Sequence, residues 1–116
     1  MRWWNLQQLK SKDARTRRQA VEKLAANDDE RSAAELRGML ADPDAEVRAA
    51  AVRGLGQLRA DELEKVILPL MRDAEPTVRE ATAEGLKICG TEAALPALLQ
   101  ALRDPVSGVR WRAAQA

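Results

Sequence analysis

Arginine recurs at positions 17, 48, 79 and 110, an interval of 31 residues each time. The same interval carries Thr16 to Val47, Val78 and Val109, Leu24 to Leu55 and Leu86, and Leu9 to Leu40, Met71 and Leu102. No unit this short can bury its own apolar face. Repetition at a few tens of residues therefore specifies units that stack on their neighbours as a solenoid. Such a chain builds a surface by repetition in place of a pocket by chain folding. Binding is favoured over catalysis.

Within each period the apolar spacing is helical twice. Val47, Ala50, Ala51, Gly54, Leu55 and Leu58 follow the i, i+3, i+4, i+7, i+8 template and bury one face of a second helix. A first helix is read from Leu36, Met39 and Leu40, then Val66, Ile67, Leu70 and Met71, then Leu95, Leu98, Leu99 and Leu102. Ser32 with Glu35, and Asp61 with Glu64, have capping-box spacing at the start of a first helix. Asp42-Pro43-Asp44, Asp73 to Pro76 and Asp104-Pro105 break the chain between the two helices of a unit. The expected fold is an all-α, right-handed α-solenoid of four helix pairs, with units at 2–27, 31–59, 61–90 and 92–116 forming a single domain. Pro69 stands inside a first helix, where its ring conflicts with the Lys65 carbonyl and predicts a kink.

The fourth unit reads as truncated. The leucine that should follow Leu86 by one period falls just past Ala116, and Trp111-Arg112-Ala113-Ala114-Gln115-Ala116 lacks the polar outer face of a capping unit. The expectation is a fragment of a longer solenoid. Its exposed apolar end predicts possible end-to-end self-association.

Composition supports a helical stack. Phe and Tyr are absent, so the core must be built from Leu, Val, Ile, Met and Ala. Small residues let helices approach closely. The longest uncharged run, Ala93 to Leu102, is far below the roughly 20 residues needed to span a bilayer. With no secretory leader in the N-terminal residues, a cytoplasmic location is the default expectation. The net charge of +1 hides an asymmetry: residues 1–23 carry seven Lys or Arg against two acids, and residues 28–75 carry seven against twelve.

The run Asp-Pro-x-x-x-Val-Arg-x-x-Ala-x-x-x-Leu, present as Asp42-Pro43 with Val47, Arg48, Ala51 and Leu55, resembles the short HEAT-like repeat of the phycobilisome-lyase type. Asp104-Pro105 with Val109, Arg110 and Ala113 matches it, and Asp73 with Val78, Arg79 and Leu86 nearly does. The first unit departs, with Ser11 for Asp and Thr16 for Val, as does Thr82 for Ala. The resemblance implies a fold more than a function. It also implies that Asp42, Arg48, Asp73, Arg79, Asp104 and Arg110 form a structural ladder of charge-assisted hydrogen bonds between neighbouring turns. Some relatives of that fold, the deoxyhypusine hydroxylases, hold di-iron through His-Glu pairs. This chain contains no His.

Functional residues in a solenoid belong on the face that varies between units. At about 100° per residue from Val47, Ala49 falls near 200° and Arg53 near 240°, away from a core face near 20°. Their counterparts are Arg18 and Glu22, Glu80 and Glu84, and Trp111 and Gln115. The resemblance implies that second helices line the concave surface, so these eight residues are the expected binding stripe. Trp111 is either a binding anchor or a side chain that packs on a further unit. Trp3 is expected at the core edge and Trp4 exposed. Cys89 takes the place of Leu58 and reads as a small core residue, with no His to act as its base.

The expected function is a non-catalytic scaffold presenting a concave helical surface to a peptide or protein partner, with no cofactor and no metal. Two alternatives come from other classes: nucleic-acid binding through the basic N-terminal unit, and a subunit of a bilin chromophore lyase.

Overall fold

The computed structural model describes residues 6–26, 30–60, 62–89 and 92–115. Trp3, Trp4 and Asp61 lie outside them. All regular structure among these residues is helical. The described part of the first helix is 6–8 (α1), followed by α2 (Ala14–Ala25), α3 (Glu30–Gly38), α4 (Ala45–Gln57), α5 (Leu63–Ile67), α6 (Pro76–Cys89), α7 (Leu95–Ala101) and α8 (Ser107–Gln115). The second helices α2, α4, α6 and α8 pack in chain order, each against the next, while α3, α5 and α7 cover their other side. Two layers result, in a body of 41 × 26 × 17 Å. This is the all-α stacked-helix architecture that the period predicts.

The inner second helices, α4 and α6, have neighbours on three sides. In α4, Val47, Ala51 and Leu55 face the first-helix layer and are fully buried. A Cβ on Gly54 would come within 3.0 Å of Ala25 Cβ, so this flank meets the preceding unit. A Cβ on Gly56 would lie 3.7 Å from Ile88 Cδ1, and Val52 faces Gly85. The opposite flank therefore meets the following unit. Only the arc through Glu46, Arg53 and Gln57 stays open.

Local sequence explains the helix ends. Asp44 caps α4 by accepting from the amides of Glu46 and Val47 at 2.9 and 3.2 Å, and Pro76 opens α6 where a helix needs no donor. At the end of α4 the Arg59 amide donates to Gly56 O and the Ala60 amide to Leu55 O, both at 3.1 Å. That pairing is a Schellman motif. It places Arg59 at φ 49°, a left-handed position where the next unit has Gly90 in sequence.

Two expectations need correction. Ser32 does not start a helix; α3 already begins at Glu30, and Ser32 is fully buried within it. The kink expected at Pro69 takes the form of a change of helix type, from α over Leu63–Ile67 to 3-10 over Leu68–Arg72. The preceding unit makes the same change without proline at Met39–Ala41. Pro69 therefore lengthens a feature of the repeat and does not create it.

Candidate functional site

Two sets of charged residues occupy different places. The first runs along the turns between paired helices. Arg17 donates through Nε and Nη2 to both carboxylate oxygens of Asp42 at 2.8 and 3.1 Å; Arg48 does so to Asp73 at 2.9 and 3.0 Å, and Arg79 to Asp104 at 2.7 and 3.1 Å. In each rung the third nitrogen, Nη1, donates at 2.8 Å to the carbonyl six residues earlier, on Ser11, Asp42 and Asp73 respectively. Each arginine thus ties its own turn to the next unit's aspartate. These aspartates also accept from the amide two residues on, at 2.9 Å in all three cases.

The geometry accounts for the departures in the first unit. Ser11 Oγ accepts from the Asp13 amide at 3.1 Å and keeps the turn bond that Asp42 makes in the next unit. Arg17 reaches only the Ser11 carbonyl, and among the described residues no guanidinium reaches its side chain, so a carboxylate has nothing to pair with there. Thr16 donates to Asp13 Oδ2 at 2.8 Å, which holds that carboxyl below its usual range and secures the cap of α2. A valine could not make this bond.

Burial is the largest influence on the carboxyls of Asp73 and Asp104 and pushes them upward, but the hydrogen bonds from Arg48 and Arg79, the amide bonds from Glu75 and Val106 and the nearby arginine charges together outweigh it and hold both below the ordinary aspartate value. Hydrogen bonding to Asp73 likewise raises Arg48. Arg17 belongs to the ladder although the sequence pattern did not assign it there. Arg110 repeats only half a rung: its Nη1 donates to Asp104 O at 2.6 Å, and no carboxylate reaches the rest of its fork among the described residues.

The second set lies on the open arc of the second helices. Glu22, Arg53 and Gln115 are exposed and Glu84 is half-buried. Arg53 lies 4.0 Å from Glu84, and Arg112, from α8, approaches the same glutamate at 3.0 Å. Arg18 lies 3.6 Å from Glu22 and 3.9 Å from Glu46. Between α2 and α4 a groove of about 350 Å³ is lined by Arg18, Glu22, Glu46, Arg53 and Gln57 with Ala50 at its floor. Ile88 adds an exposed apolar side chain to the same arc. Glu46, Gln57, Ile88 and Arg112 were not singled out in the sequence. The available signal was helical spacing: Gln57 and Ile88 follow Arg53 and Glu84 by four residues, Arg112 precedes Gln115 by three, and Glu46 precedes Arg53 by seven.

Three of the eight residues of the expected stripe, Ala49, Glu80 and Trp111, are not on this arc. Ala49 is fully buried, because its side of α4 faces α6. Glu80, one period later, reaches across to α8 and contacts Gly108, where a Cβ would collide with its carboxylate. Arg18, one period earlier, likewise reaches Glu46 on the next helix. Trp111 shares this register and is 55% exposed, with the Arg112 guanidinium 4.7 Å from its ring centroid. Ala49 and Glu80 therefore belong to the seam between units, and Trp111 stands exposed at the same register of α8. Arg18 borders both seam and groove.

Cys89 is half-buried and donates to Gly85 O at 3.3 Å; burial, then the charge of Glu64, push its thiol upward. This thiol is not poised as a nucleophile. No helix among the described residues is long and apolar enough to cross a membrane.

A scan against protein families matches residues 38–116 to HEAT repeats. The search of curated proteins returns no match.

Proposed function

The chain belongs to the HEAT repeat family, whose members commonly serve as protein-interaction scaffolds, and from that premise we propose that it is a non-catalytic scaffold binding a peptide or protein along the open arc of its second helices. One observation carries this reading. The charges of the arc are held in long or half-exposed pairs, such as Arg53 to Glu84 at 4.0 Å with side chains 45% and 35% exposed. Pairs of this kind add little to folding, so these side chains can re-pair with a partner at small loss. Glu84, set between Arg53 and Arg112, would be the central contact, and Glu22, Arg53 and Gln115 would extend it.

The alternative of nucleic-acid binding finds less support. Arg17 is committed to Asp42 and Arg18 faces Glu22 and Glu46, which removes two cations from the basic N-terminal run. The finer resemblance to the lyase type is not part of the family match, and no feature of the arc favours a bilin. A photocrosslinker at Gln57 will capture the partner. Glu84→Arg should then weaken that partner's binding about tenfold or more at an unchanged melting temperature. Equal weakening by Lys12→Glu, outside the groove, would refute the assignment.

A further inference from the structure

We propose that the first-helix layer carries a second docking cleft, between α5 and α7, and that its occupant is a short peptide segment in which carboxylates alternate with aliphatic side chains. The cleft lies on the other layer from the open arc and does not depend on the function assigned there.

It forms where the repeat departs from itself. The 3-10 segment Leu68–Arg72 that continues α5 packs against α7. In α7, Ala97 and Ala101 take the register that Val66 and Leu70 hold one period earlier. Both alanines line the resulting cleft, which has a volume of about 1140 Å³. That exceeds the roughly 300–1,000 Å³ of small-molecule sites. From Lys65 to Arg72 its wall runs about 15 Å, the length of about five extended residues.

Its chemistry defines the occupant. Leu68, Met71, Ala97 and Ala101 give it an apolar floor, with exposed Pro69 and Pro96 beside it. Alanine and proline have no rotamer freedom to lose, so much of this surface is preformed. Three exposed cations, Lys65, Arg72 and Arg103, surround the floor, and none of them forms an ion pair among the described residues. The two carboxylates of the lining, Asp73 and Asp104, are already held by Arg48 and Arg79. The charge left to a ligand is therefore positive, whereas the cations of the open arc are shared with glutamates. An apolar floor among unpaired cations takes a segment that is both aliphatic and acidic. A nucleic acid suits it less, because no aromatic side chain lines the cleft to stack on a base.

The test selects binders of the whole chain from a displayed library of random heptapeptides and measures the recovered peptides by fluorescence anisotropy. They should be rich in Asp and Glu interleaved with Leu, Ile or Val. Arg72→Glu combined with Arg103→Glu should weaken their binding about tenfold or more, with the far-UV circular dichroism unchanged. The same reversal at Lys10 and Lys12 should change it by no more than about twofold. Ala97→Val restores the bulk of Val66 without altering charge, and it should weaken binding severalfold at an unlowered melting temperature. Recovered peptides without an excess of acids would overturn the proposal, as would acidic peptides that lose affinity with Glu84→Arg but not with the cleft variants. A single-stranded oligonucleotide that binds as tightly as the peptides and is equally weakened by Ala97→Val would make the cleft a nucleic-acid site and overturn it too.

Discussion

Replacing Arg79 with alanine isolates what one rung of the ladder contributes. The substitution removes two bonds to Asp104, at 2.7 and 3.1 Å, and two to the carbonyls of Asp73 and Ala74, at 2.8 and 3.1 Å. It leaves a carboxylate that is 9% exposed without its cation. Exposed pairs contribute up to about 1 kcal/mol, whereas breaking a buried pair costs about 3–5 kcal/mol. At 13% and 9% exposure this rung lies nearer the buried limit, and Asp104 retains its bond from the Val106 amide, so we expect a loss of about 3 kcal/mol. For a domain of this size that corresponds to roughly 10 °C in melting temperature. Arg110→Ala is the internal comparison, because it removes only one backbone bond and should cost about 1 kcal/mol. Far-UV circular dichroism during heating reads both variants. If Arg79→Ala costs no more than Arg110→Ala, the ladder is decoration and the stack is held by apolar contact alone.

Acid should expose the same rungs. The carboxyls of Asp73 and Asp104 titrate lower in the folded chain than unfolded, so their contribution is present above the unfolded value of about 3.9 and is lost as pH falls through the lowered folded values. Acid unfolding of Arg79→Ala should therefore show a shallower pH dependence in that window than the parent; identical profiles would remove Asp104 as a cause. Arg59→Gly should stabilise by about 1 kcal/mol, because it relieves a side chain at φ 49° on an exposed helix end, and a loss would mean that the arginine makes contacts outweighing the strain. Gly85→Ala should destabilise by about 1 kcal/mol net of its helix-propensity gain, since the new Cβ would meet fully buried Ile67 Cδ1 at 2.6 Å. Ile67→Val in the same chain should recover part of that loss, and strict additivity would show that the contact is not the cause.

The ladder and the core were legible in the sequence because they repeat. A residue that must occur in every unit, such as Arg48 or Leu55, reports a contact made in every unit. Arg17 escaped because its partner Asp42 lies in the next unit, and pairing within a unit, six residues apart, shows only the backbone half of the rung. The first unit's Ser11 and Thr16 look like decay of the pattern until their bonds are seen. Ser11 keeps the local turn and drops only the carboxylate that would pair with a preceding arginine, while Thr16 gives up a buried valine's apolar contact for a bond to the cap residue Asp13.

The binding arc was half legible, and the reason is geometric. A helical wheel drawn from one core residue distinguishes a buried side from its opposite, which suffices for a helix lying on a single surface. A second helix in a stack is buried on its core face and on both flanks. The flank toward the following unit begins close to 200°, so the roughly 40° between Ala49 and Arg53 separates a fully buried position from an open one. Residues at that border are then sorted by what the next unit offers. Arg18 reaches the groove, Glu80 is laid across Gly108, and Trp111 stays exposed because no following helix meets it among the described residues. Exposure of Arg53, by contrast, is a property of the arc itself. Arg53 and Glu84 are therefore the residues to perturb for the proposed binding, and Arg48 and Arg79 the residues to perturb for stacking.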